Sequence, residues 1–169
     1  MASHKEGLMV FTSEELIDRA FLRATTVMYG MWEERGSSDT RLLLPPLIPD
    51  EYVIVGESMN GKEHKEHVVP RVVIINECHK MFNVGQGLDN VASFVRKYLK
   101  IVYISRQEQE RLDKRGSGFL NLRQKMPKGW SFDGGDMYAR FIEAGIVVNF
   151  YQKPGKPQST IDASPEVIS

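Results

Sequence analysis

A single cysteine, Cys78, stands among 169 residues, so no disulfide can close within the chain. Histidine is nearly as scarce, with four in all. An excess of charge is missing too, because 22 Lys and Arg balance 22 Asp and Glu. Most nucleic-acid binders carry a basic excess, so a neutral chain would need a local patch to hold such a partner. No apolar run approaches the roughly 20 residues of a membrane span. The opening MASHKEGLMVF also lacks the long apolar core of a signal peptide. These absences point to a reducing cytoplasm and to no membrane partner. Several catalytic signatures are absent as well. FNVGQGLDN has no third glycine and no preceding strand, so it fails as a dinucleotide fingerprint. KMPKGWSFDGGD contains no phosphate-loop Gly-Lys-Ser/Thr, and no GxSxG elbow occurs.

What is present suits one globular domain over residues 1–152, with a flexible Pro/Ser/Gly-rich tail at 153–169. Residues 12–35 carry apolar side chains at helical spacing, from Leu16 to Trp32. Thr12 and Glu15 form a capping-box pattern at the start, and Gly36 stops the helix. RLLLPPLIPDEY reads as an extended, packed connector, YVIVGE as a strand, and SMNGKEHKE as a polar loop. Pro70 is placed to start a helix running to the Gly85–Gly87 pair, and a second helix follows at 88–99. KIVYIS then reads as a strand and 105–115 as a helix capped by Ser105, with a loop over 116–134. A helix at 136–146 and a strand at 146–152 complete an α+β, helix-rich fold with a small antiparallel sheet.

The scarce residues are crowded. GKEHKEHVVPRVVIINECHKMF, residues 61–82, holds His64, His67, His79 and Cys78. Structural zinc prefers four Cys or His ligands, commonly as two close pairs, and His64/His67 with Cys78/His79 is the only such grouping. Adjacent residues on a helix point about 100 degrees apart, so Cys78 and His79 suit a buried thiol and a surface imidazole better than a shared ion. The same splay argues against Cys78 as a nucleophile with His79 as its base.

Glu66-His67-Val68-Val69-Pro70 is a second pattern: an acidic residue, then His, a β-branched pair and Pro. Downstream, IVYISRQEQERLD gives a strand, a hydroxyl cap and a helix that carries Gln109 and Asp113 on one face. Together these segments resemble the HNH (ββα-metal) nuclease family, and the later order MP then AR-F-x-x-AGI is similar to small phage and bacterial proteins with an HNH-like core. The resemblance implies a ββα-metal core in which His67 is the general base. Glu66 and Asp113 would be ligands of a divalent ion such as Mg or Zn, with Gln109 as a helper. A base near neutral pKa beside a metal that neutralises phosphate charge is competent phosphodiester chemistry. The sequence departs from the family where an imidazole ligand is expected, because Gln109 is a poor metal ligand. His64, His79 and Cys78 remain as alternative metal residues.

Two functions follow. One is an HNH-like metal-dependent nuclease, or a degenerate relative acting on DNA. The other is an inactive phage-type protein, without a cofactor, that binds and inhibits a host protein. Trp130 and Tyr138 are candidate interface anchors or ordinary core aromatics. Arg140 in the Tyr138–Phe141 run reads as a surface arginine on a packed helix.

Overall fold

The computed structural model describes residues 7–152; the expected flexible tail lies outside them. Helix α1 spans Ser13–Arg35, and its capping box forms as the sequence suggests. Thr12 Oγ1 accepts from the Glu15 amide at 3.2 Å, and Glu15 Oε2 accepts from the Thr12 amide at 2.7 Å. Gly36 ends the helix at φ 73°, a left-handed conformation that costs glycine little. Ala20, Phe21, Ala24 and Met28 bury the inner face.

The proline-rich connector is not extended. It folds into two 3-10 turns, Thr40–Leu43 and Asp50–Tyr52, on either side of a cis Pro45–Pro46 bond. Prolines cannot donate to a ladder, so short turns satisfy the remaining backbone groups while Leu43 and Ile48 are buried.

Strand β1 (Ile54–Ser58) is followed by β2 (His64–His67), then α2 (Arg71–Asn83), α3 (Leu88–Tyr98) and β3 (Ile101–Ile104). Helix α4 (Arg106–Asp113), the short α5 (Ala139–Glu143) and β4 (Val148–Phe150) complete the order. The fold is α+β, as expected. The sheet is mixed rather than purely antiparallel, with order β2-β3-β1-β4 and a parallel β1–β3 pair at its centre. His64, Lys65 and Glu66, expected as the end of a loop, form a strand with His67 because the segment pairs antiparallel along the whole of β3. Its alternation of charged and imidazole side chains carries no apolar signal that the sequence could have shown.

Alternate residues of β3 serve opposite layers, as a strand's two-residue period requires. Ile101 joins the cluster formed with α1, α2 and α3, together with Phe21, Met28, Ile74, Cys78 and Val95. Val102 and Ile104 join the second cluster, with Leu112 of α4, Phe141 of α5 and Leu122 of the intervening loop. The small sheet is thus sandwiched between two helical layers. Gly56 of β1 is needed at the contact with β4. A Cβ there would collide with the Asn149 carbonyl oxygen and come within 3.0 Å of a Val148 methyl.

Candidate functional site

The register between β2 and β3 decides where the Glu66-His67 pair points. Glu66 lies opposite Val102 and His67 opposite Ile101. Residues paired across strands share a face, so the Glu66 carboxylate turns toward the α4–α5 layer and the His67 ring toward the α1–α3 layer. Helix α4 packs Leu112 into the Val102 cluster, and so lies on the Glu66 side. β2 pairs with β3 and α4 follows β3, but α2 and α3 intervene between the two strands, and the sheet separates the imidazole of His67 from the helix carrying Gln109 and Asp113.

Glu66 is already engaged. Its Oε1 accepts from Arg140 Nη2 at 3.0 Å and its Oε2 lies 3.1 Å from His64 Nε2. Arg140, expected on the surface, is 0% exposed. Its guanidinium donates to the Leu122 carbonyl from Nε (2.9 Å) and Nη2 (2.7 Å), and to the His67 carbonyl from Nη1 (2.7 Å). Longer bonds reach the carbonyls of Val68 at 3.3 Å and Arg123 at 3.4 Å. The burial has a local cause. The Val68 amide bonds the Lys100 carbonyl, so the alternate residue His67 directs its own carbonyl away from β3. Arg140 covers that outward group. A planar fork of five donors is the side chain suited to gathering several carbonyls and a carboxylate at once.

Burial, then the positive charge of Arg71, pull the His67 pKa down from 6.5 to about 4, so the ring is neutral at physiological pH. Its Nε2 is buried and has no hydrogen-bond partner among the described residues. His79 is separate, on α2, where burial lowers its pKa and Ser38 Oγ lies 2.6 Å from Nε2. Cys78 is fully buried, and its thiol is pushed up to about 12, mainly by burial and then by Glu77. Gln109 and Asp113 are half-buried on α4, and Asp113 forms no ion pair among the described residues.

Measured against the divalent ion that the resemblance implies, this donor set does not fit. The Glu66 charge is met by Arg140, the base is turned to the opposite layer, and no three His, Cys, Asp or Glu side chains among the described residues gather closely enough to hold an ion. The acidic side chain that α4 does turn inward is Glu108, which is 0% exposed. Burial opposes its charge, but donors from Ser58 Oγ (2.7 Å), the Ser105 amide (2.8 Å) and Asn60 Nδ2 (2.8 Å) outweigh that and hold the pKa below the ordinary carboxylate range. Glu108 therefore welds α4 to the end of β1. Its signal in the sequence is the S-x-x-E capping box at Ser105, which the structure completes.

Trp130 and Tyr138 are half-buried in aromatic clusters. Trp130 meets Phe132 edge-on at 4.7 Å, and Tyr138 meets Phe150 at 5.3 Å.

A second feature follows α4. From Lys114 to Phe132 the chain carries Lys114, Arg115, Arg123, Lys125 and Lys128 and no acidic residue. Arg115, Asn121, Arg123, Gln124 and Lys125 line an open concavity of about 340 Å³. Asn121 fixes its shape from a left-handed conformation at φ 56°, which asparagine tolerates better than most residues. Its Oδ1 accepts from the Gly116 amide at 2.8 Å and its Nδ2 donates to the Phe119 carbonyl at 2.8 Å. The overall neutrality of the chain hides this patch; counting charge by segment finds it. Because the Leu122 and Arg123 carbonyls bind Arg140, the patch borders the Glu66 element.

Comparison with protein-family models, curated proteins and solved structures finds no match to this chain.

Proposed function

We propose that this chain is a degenerate HNH-like protein that binds the phosphate backbone of nucleic acid through Arg115, Arg123 and Lys125, and does not cut it with a Glu66-His67 metal centre. The observation that carries the reading is the acid-free, basic concavity shaped by Asn121 and set beside the Glu66–Arg140 pair. Exposed guanidinium and ammonium groups around a concavity suit phosphate oxygens, and such binding weakens steeply with salt. The Glu66–Arg140 ion pair supports the loss of the metal chemistry, since a carboxylate held this way gives up a buried charge partner before it can ligate an ion.

The test joins binding to cleavage. Fluorescence anisotropy with short single- and double-stranded DNA is expected to show salt-dependent binding. Reversing Arg115, Arg123 or Lys125 to Glu should weaken it and lower the salt slope by roughly one for each phosphate no longer neutralised. Plasmid nicking with Mg, Mn, Ni or Zn should stay at background. Metal-dependent cleavage abolished by His67→Ala would instead establish the enzyme, and no DNA binding at low salt would remove the nucleic-acid reading.

A further inference from the structure

The two edges of the sheet are finished differently. On β2 the outward carbonyl of His67 is taken by Arg140, and the strand carries Lys65 and Glu66, charges of the kind that discourage edge-to-edge pairing. Strand β4 has neither protection. Residues 146–152, IVVNFYQ, contain no charge. The Met59 amide bonds the Val147 carbonyl and the Tyr151 amide bonds the Val55 carbonyl. In this antiparallel ladder the backbone groups of Val147, Asn149 and Tyr151 therefore face β1, and those of Val148 and Phe150 face away from the sheet. Side chains around this edge are exposed and apolar: Val147 at 62%, Phe150 at 57% and Tyr151 at 44%.

We propose that β4 pairs antiparallel with β4 of a second copy of this chain, around a two-fold axis at Asn149, to form a continuous sheet across a homodimer. The edge is complementary to itself in this register. Val148 of one copy meets Phe150 of the other, and the outward backbone groups at both positions bond reciprocally. The same register brings exposed Val147 against exposed Tyr151 on the opposite face, so apolar side chains that water now covers would cover one another. Because the strand carries no charge, like meets like without repulsion. A charged partner strand would find no counter-charge on β4. This inference does not depend on nucleic-acid binding.

The register makes Asn149 the decisive position, since the two copies of this residue face each other as a non-hydrogen-bonded pair. Such pairs have Cα atoms about 4.5 Å apart, within disulfide reach. Full-length Asn149→Cys is expected to form a covalent dimer under mild oxidation, while Val84→Cys, exposed on a remote turn, does not. Asn149→Lys places like charges across the axis, whereas within its own chain it faces Glu57 and is tolerated. Sedimentation equilibrium should show the wild type at twice the monomer mass and Asn149→Lys with a dissociation constant raised by roughly tenfold or more. Circular dichroism confirms that each variant is folded. A wild-type chain that stays monomeric at high micromolar concentration would overturn the proposal. So would a dimer that Asn149→Lys leaves intact and Asn149→Cys does not cross-link. A monomer whose Val148 and Phe150 amides still resist hydrogen exchange would assign the edge to another strand, and overturn it equally.

Discussion

Replacing Arg140 by Met tests whether one buried cation holds three parts of the chain together. The guanidinium is 0% exposed and bonds carbonyls of β2 and its exit, carbonyls of the loop after α4, and the Glu66 carboxylate. Methionine keeps much of the volume and removes every donor. Glu66, with a side chain 13% exposed, would then lose its cation and be left with His64 beside it among the described residues. Breaking a buried ion pair from one side costs about 3–5 kcal/mol, and a buried carbonyl left without a donor adds about 1–3 kcal/mol. These costs overlap because β2 can shift and admit water, so the expected loss is about 4 kcal/mol or more. That is a large share of the ~5–15 kcal/mol typical of a whole domain. Urea unfolding followed by circular dichroism should show the midpoint falling at an unchanged slope, with a melting temperature lower by roughly 10 °C. The double variant Arg140→Met with Glu66→Met should be less destabilised than Arg140→Met alone, because no charge is stranded. A loss below ~1 kcal/mol for Arg140→Met would refute the reasoning, since only a surface arginine is that dispensable.

Two further outcomes follow from positions already described. The His67 pKa falls from 6.5 to about 4 on folding, so between those values the unfolded chain binds the extra proton. Stability from this group is fully present above pH 6.5 and is lost as pH falls toward 4, by up to about 3 kcal/mol; denaturant midpoints at pH 7 and 4.5 should diverge less in a folded His67→Gln variant, and equal divergence would sink the assignment. Gly56→Ala forces a methyl against the Asn149 carbonyl, so β4 must move away from β1. A loss of about 1–3 kcal/mol in denaturation is expected, and wild-type stability would show that β4 does not approach as closely as described.

Local chemistry is legible in the sequence where it acts locally. Thr12 with Glu15, Ser105 before α4 and Pro70 before α2 mark helix starts because capping and fixed φ depend on a few adjacent residues. Strand β2 is not legible, since nothing within His64–His67 favours a strand until β3, more than thirty residues on, supplies the partner. Arg140 reads as a surface residue for the same reason. Its type is usually exposed, and only the fold delivers carbonyls from residues 67, 68, 122 and 123 to it. The Glu66-His67 motif is legible as a pattern but not as a geometry. Adjacency in sequence on a strand means opposite faces in space, and the side on which α4 lands comes from long-range packing.

The bonds of Arg140 also set an order in time. Every buried residue of the cluster shared by α1, α2, α3 and β3 precedes residue 140, so that side of the sheet can assemble without α5. The other side of the sheet cannot close then. Until residue 140 is made, the carbonyls at 67 and 122 lack their donor, and Val102, Ile104 and Leu112 lack Phe141. A chain cut short just before residue 140 would therefore hold a half-built sheet with its greasy side open, the form a chaperone or a protease would recognise.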